Sequence, residues 1–366
     1  MNIRCLNDEA DALDRASKLH WVILAIVVAV VLALAATVAF ARGDDEDDKE
    51  PRTSGFCSAT AATLFTACGF EVKDDFFVTK AKCINLSDPR ERSECLTEAK
   101  QARADSNQVC RRQLNWRRDA CTVLGEARYD PKVDPANFDS NFRNLSNPNP
   151  YFPLGIGNKW EFRGGTELNI LEVANETKLI EGVTCVVVRD LVFSNGRLKE
   201  STDDWYAANR DGSTWYFGEE VKDFESFDGD NPVRPELVKI SGSFKHGRDR
   251  DKAGIIMPAN PRAGLAYLEE FSLGNAEDVS EILSASYSFG SDRELDRFVP
   301  RDLVQRFCNR DCVVTKNYSL LEPGIVARKY YARGIGFFLE TKPDEGKAVQ
   351  LVNCNFDQRC AALPAP

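Results

Sequence analysis

Six cysteines between Cys57 and Cys121 constrain this chain more than any other feature. Cys57 and Cys121, Cys68 and Cys110, and Cys83 and Cys95 lie symmetrically about Pro89. In two antiparallel helices joined by a turn, residues equidistant from the turn face one another, so the spacing predicts three rungs of one ladder. Ser87-Asp88-Pro89 supplies the reversal: an N-cap residue followed by proline in the first turn starts a helix. Cys57 to Cys68 and Cys110 to Cys121 are each close to three helical turns, which keeps both members of a pair on one face. The stretch is rich in Ala, Glu, Lys, Arg and Leu, as helices are. Gly69-Phe70 is expected to interrupt the first arm, and Gly125 to cap the second. The alternatives are a different connectivity among the roughly fifteen that six cysteines allow, or a metal cluster, whose short C-x2-C ligand spacings are absent.

The flanks of this block set the compartment. Residues 1–20 are polar, and from Trp21 to Ala41 the chain carries no charge. As a helix at about 1.5 Å per residue, that run reaches roughly the 30 Å of a bilayer core, so residues 21–41 are expected to be a transmembrane anchor. Secretion after cleavage near Ala41 is the alternative, on the pattern Ala39-Phe40-Ala41. Positive charge does not orient the segment, but eleven of the twelve cysteines follow it, and a disulfide framework needs an oxidising compartment. The expected order is therefore a cytoplasmic tail 1–20, the anchor 21–41, an acidic linker 42–54 and a cysteine-rich α-hairpin 55–126. A connector 127–150, rich in Asn, Asp and Pro, and a β domain 151–366 follow.

Short β-branched and aromatic runs mark that last domain: 159–162, 168–173, 184–193, 204–207, 214–217, 281–288, 327–332 and 336–341. Tight turns such as Ser194-Asn195-Gly196 and Arg210-Asp211-Gly212 punctuate them. Close spacing predicts antiparallel meanders, so the fold class is α+β with a mainly antiparallel half-barrel or sandwich. Cys308, Cys312, Cys354 and Cys360 are expected to join the first pair to the second and clasp the tail. Cys185, inside the apolar run Val183–Val188, is left as a buried free thiol. Asn85, Asn144, Asn175 and Asn317 begin glycosylation sequons.

Several phrases carry a resemblance: TACGFEVKDDFF at 66–77, LGEARYDP at 124–131, YFPLGIGNKWEF at 151–162 and GVTCVVVRD at 182–190. DDWYAANRDGSTWYFGE at 203–219, AGIIMPANP at 253–261 and LEPGIVARKYYARGIGFFLE at 321–340 extend it. Together they resemble a family of extracytoplasmic bacterial proteins with a cysteine-rich helical region before an antiparallel β domain. The resemblance implies compartment and architecture and no activity. The GIGFFLE ending is also similar to the closing strands of secreted half-barrels related to lipoprotein carriers. His246 with its charged run 248–252, and the four C-terminal cysteines, depart from the family.

Composition excludes more than it assigns. A net charge of -10 gives nucleic acid no concentrated basic surface, and two histidines leave little for a histidine metal centre or a Ser-His-Asp triad. No P-loop or dinucleotide fingerprint is present, so no cofactor and no metal are expected. The richest constellation is Asp203-Asp204-Trp205-Tyr206 with Trp215-Tyr216-Phe217-Gly218-Glu219. A hairpin turning at Asp211-Gly212 brings the two clusters together. Asp204 and Glu219 are then the candidates for acid and base or nucleophile of a glycan hydrolase, and Trp205, Tyr206, Trp215 and Tyr216 for ligand platforms. The same residues also make a well-packed hairpin. Met257, in GIIMPANP, could edge an apolar pocket for a lipid-like ligand. The leading expectation is a non-enzymatic, membrane-anchored extracytoplasmic protein whose β domain binds an apolar ligand or envelope partner. A carboxylate-dependent hydrolase and a purely structural envelope protein are the alternatives.

Overall fold

The computed structural model describes residues 55–366, in two units divided after Arg128. The expected tail, anchor and acidic linker lie outside the described residues. Among the described residues no helix is long and apolar enough to cross a membrane.

The first unit is a helical hairpin of α1 (Phe56–Ile84) and α2 (Pro89–Leu124). Asp88 caps α2, its carboxylate accepting from the backbone N–H groups of Arg90 (2.8 Å) and Glu91 (2.9 Å). Cys57 is bonded to Cys121 and Cys68 to Cys110, each with Cα atoms 5.8 Å apart, as the symmetry about Pro89 predicts. The third rung is in register without a covalent bond: Cys83 and Cys95 are buried free thiols with their Sγ atoms 2.7 Å apart. Burial pushes the Cys95 thiol up to about 12. The expected break at Gly69 does not occur. α1 runs through it, because one glycine costs a helix only about 1 kcal/mol and the cross-link at the preceding Cys68 ties the arm to α2 at this point.

The second unit begins at Tyr129 and includes most of the expected connector, which packs onto the sheet through Phe138 and Phe142. Five long strands form a meander: β1 (Lys159–Gly164), β2 (Glu167–Ile180), β3 (Val183–Ser194), β4 (Arg197–Ala208) and β5 (Thr214–Glu225). The short strands β6 (Glu236–Lys239) and β7 (Phe244–Lys245) pair with β5. Next come β8 (Lys252–Met257), β9 (Ala266–Leu268), β10 (Glu270–Phe271) and β11 (Asp278–Tyr287). A short helix α3 (Arg301–Phe307) precedes β12 (Cys312–Ser319), β13 (Ala327–Ala332), β14 (Gly336–Lys342) and β15 (Lys347–Cys354).

All the pairings are antiparallel, in the order β10-β8-β5-β4-β3-β2-β1-β15-β14-β13-β12-β11-β9. The sheet curls past a half-barrel. β10 bonds to β8 and β9 bonds to β11, and only Glu269 separates β9 from β10, so one short stretch holds both ends of a nearly closed barrel. Closure of this kind removes exposed edges. Outside β12–β14, α3 and the loop before it supply Leu295, Leu303, Val304 and Phe307, which pack on Tyr330 and Phe338.

The C-terminal disulfides correct the expected connectivity. Cys308 joins Cys312, and Cys354 joins Cys360, with no bond between the two pairs. The chain turns back within a few residues at each place and brings the Cα atoms to 5.2 and 5.4 Å, within reach of a disulfide. The tail is tied to α3 by hydrogen bonds instead: Arg306 Nη1 donates to the carbonyls of Ala361 (2.6 Å) and Arg359 (3.2 Å).

Candidate functional site

Strand alternation sends Asp204 and Tyr206 to one face of β4 and Trp205 to the other. Val186, Val188 and Asp190 of β3 stand opposite Tyr206, Asp204 and Thr202, so these side chains share a face. That face is the inside of the barrel: Phe162, Leu171, Val173, Val188, Tyr206 and Phe337, drawn from five strands, converge on a single apolar cavity. Its volume is about 50 Å³, room for one or two small groups.

Glu219 reaches the same interior through an irregularity. Asp204 pairs with Glu219 and Tyr206 with Tyr216, so β5 spends one residue more than β4 over this step. The bulge centres on Gly218, whose φ is +134°. A Cβ there would lie 2.2 Å from the carbonyl oxygen of Phe244, so both the dihedral and the approach of β7 require glycine. Without the extra residue Glu219 would point outward. Gly218→Ala is therefore expected to cost about 2–4 kcal/mol from strain and overlap, measured as a lowered urea midpoint.

The structure thus divides the sequence-predicted constellation. Asp204, Glu219, Tyr206 and Tyr216 come together inside; the two tyrosine rings stack at 4.7 Å, and the Tyr216 hydroxyl donates to Asp204 Oδ1. Trp205 and Trp215 do not join them. They lie on the outer face with Val183, Cys185 and Phe217, beneath Phe138, and the Lys178 Nζ sits 3.2 Å over the Trp205 ring. Met257 is fully buried against Tyr267, Ile282, Val313 and Tyr331. His246 also serves packing, its Nδ1 accepting from the Ala253 N–H at 3.1 Å beside the Phe217 ring. The sequon at Asn317 is buried.

Sequence reasoning missed the rest of the interior. Asp190, Glu269, Glu270, Asp278 and Lys329 complete a charged layer around Asp204 and Glu219. Ser280 Oγ donates to Glu269 Oε1 (2.6 Å), as does Asn317 Nδ2 (3.0 Å). Burial pushes Asp204 up to about 7, against the pull of the Tyr216 hydrogen bond. It also pushes Asp190 and Glu219 well above their ordinary values, and the charge of Asp204 adds to the shift at both. Glu270 and Asp278 rise for the same reason. Glu269 rises less steeply, held back first by Lys329 and then by Ser280. Burial alone would lower Lys329, but Glu269, Glu340 and Asp278 around it raise it above the ordinary lysine range.

Among the described residues no group of three or more His, Cys, Asp or Glu is arranged to hold a metal ion. The chemistry of the layer is then that of carboxylic acids and carboxylates beside tyrosines, with an apolar cavity next to it. No protein-family model, curated protein or solved structure matches the chain.

Proposed function

We propose that the β unit is a non-enzymatic binding module that holds a small, partly apolar molecule inside the barrel, on the outer side of a membrane to which residues 21–41 anchor it. The cavity of about 50 Å³ lined by Phe162, Leu171, Val173, Val188 and Phe337 carries this reading, since it lies inside a rigid barrel next to a polar layer. Its size favours a short aliphatic or single-ring portion over a long acyl chain. Disulfides in both units support the oxidising compartment.

Calorimetric titration of the full-length protein with hexan-1-ol and benzyl alcohol tests it. Binding is expected, with a rise in melting temperature that follows ligand concentration. Leu171→Phe, which fills the cavity, is expected to abolish both effects. No heat and no thermal shift from either compound would remove the reading.

The hydrolase reading keeps one specific observation, the facing carboxylates Asp204 and Glu219 with Tyr216 between them. It requires a glycan to enter a space of about 50 Å³, which weighs against it. Turnover of any oligosaccharide that Glu219→Gln abolishes would restore it.

A further inference from the structure

Carboxylates crowd the inside of this barrel, among them Asp190, Asp204, Glu219, Glu269, Glu270 and Asp278, and Lys329 is a buried cation that faces them. Some of the excess is absorbed internally. Asp204 accepts from Tyr216, and Glu269 from Ser280 and Asn317. The β2–β3 side is different. Asp190 Oδ1 is enclosed and has no hydrogen-bond partner, and Asn169 Oδ1 is likewise enclosed and unpartnered. Both residues lie on the face that carries Leu171: Leu171 pairs with Asp190 across β2 and β3, and Asn169 is two residues before Leu171 on the same strand.

Two buried acceptors without donors are costly in a protein interior, where nearly every such oxygen is satisfied. A carboxylate oxygen and an amide oxygen can be satisfied together only by a group that donates. An ammonium group offers three donors, no acceptor and a positive charge. A metal ion does not fit, because among the described residues no three ligating side chains are gathered to hold one. An alcohol donates a single hydrogen bond, so it would satisfy one oxygen, and it brings no charge to draw the proton from the buried Asp190.

Leu171 fixes the rest of the ligand. It stands between Asn169 and the apolar cavity that it also lines, so a group seated on Asp190 has Phe162, Val173 and Val188 next to it. We infer that the molecule held in the barrel is a small primary amine, its ammonium group on Asp190 Oδ1 and Asn169 Oδ1 and its short apolar end in the cavity beside Leu171. This rests on the binding reading above and narrows it to organic cations.

The test compares three probes of one chain length on the full-length protein at pH 8 and low salt: hexylamine, hexan-1-ol and hexanoate. Hexylamine is expected to bind at least tenfold more tightly than hexan-1-ol, and hexanoate not measurably. Added salt should weaken the amine alone. Asp190→Asn, checked for an unchanged far-ultraviolet spectrum, is expected to remove the preference for the amine while leaving hexan-1-ol binding in place. Equal binding of hexylamine and hexan-1-ol would overturn the inference and leave the binding module standing. No binding of any probe would overturn both. The comparison of probes on the parent protein decides the matter even if the Asp190 variant does not fold.

Discussion

Reducing the full-length protein under native conditions is expected to unfold the helical hairpin, seen as a loss of ellipticity at 222 nm, while the β unit keeps its sheet. The hairpin has almost no apolar core. Apart from half-cystines and the Cys83–Cys95 thiols, its buried apolar side chains are Ala61, Val72, Ala99 and Ala120. Burial of that kind does not balance the ordering of helices of 29 and 36 residues. The cross-links act on the unfolded ensemble. Cys68–Cys110 closes a separation of 42 residues, worth about 4 kcal/mol in the chain-entropy account. Cys57–Cys121 spans 64 residues but is nested outside the first, so it adds less than its own length implies. The β unit differs because Cys308–Cys312 and Cys354–Cys360 span only 4 and 6 residues, worth about 2 kcal/mol each, beside a large core. Helicity that survives complete reduction, with thiols verified by alkylation, would show that packing alone holds the hairpin.

The hairpin was legible because its information is one-dimensional. Symmetry about a turn is a property of residue numbers, and helix geometry converts it directly into contacts, so two bonds and the position of the reversal follow from counting. The third rung shows the limit: numbering places Cys83 opposite Cys95, but not at bonding distance. The C-terminal cysteines carry no symmetry. Their pairing depended on how tightly the chain turns after α3 and after β15, which nothing in their spacing reveals.

In the barrel, the strands with strong β-branched or aromatic content were readable, while β8, β12 and β15 were not singled out. Closure was invisible because it rests on β9 and β10, of three and two residues, on either side of Glu269. The candidate site was half legible. Asp204 and Glu219 do meet, but through a bulge at Gly218 that no periodicity predicts. The tryptophans looked like partners of the tyrosines because the sequence lists them side by side, yet alternation separates neighbours to opposite faces. Asp190 and Lys329 were overlooked for a related reason: each sits in a run of strand-forming residues, and a charge inside such a run gives no sign of which face it takes.

Asp204→Asn is expected to stabilise the β unit at pH 8 and to leave it nearly unchanged at pH 4. In the folded protein Asp204 holds its proton until about pH 7, chiefly because it is buried, whereas the ordinary value is 3.8. Between those values the folded state binds more protons than the unfolded state, so stability falls as pH rises from about 4 to about 7, and the full penalty applies above it. Three units correspond to at most about 4 kcal/mol. The variant cannot ionise, and its amide oxygen can still accept from Tyr216, so about 2–4 kcal/mol is expected at pH 8. For a unit of this size that is a rise in melting temperature of about 5–15 °C. Melts of parent and variant at pH 4 and pH 8 measure it; a variant less stable than the parent at both values would mean that the carboxyl group is held for its hydrogen bonds and not burdened by its charge. A residue that weakens its own protein at neutral pH is retained where something else compensates it, as functional sites commonly show. An ammonium ligand would be such compensation. Hexylamine should accordingly raise the melting temperature of the parent at pH 8 more than that of Asp204→Asn, because the parent carries the Asp204 penalty in addition to that of Asp190.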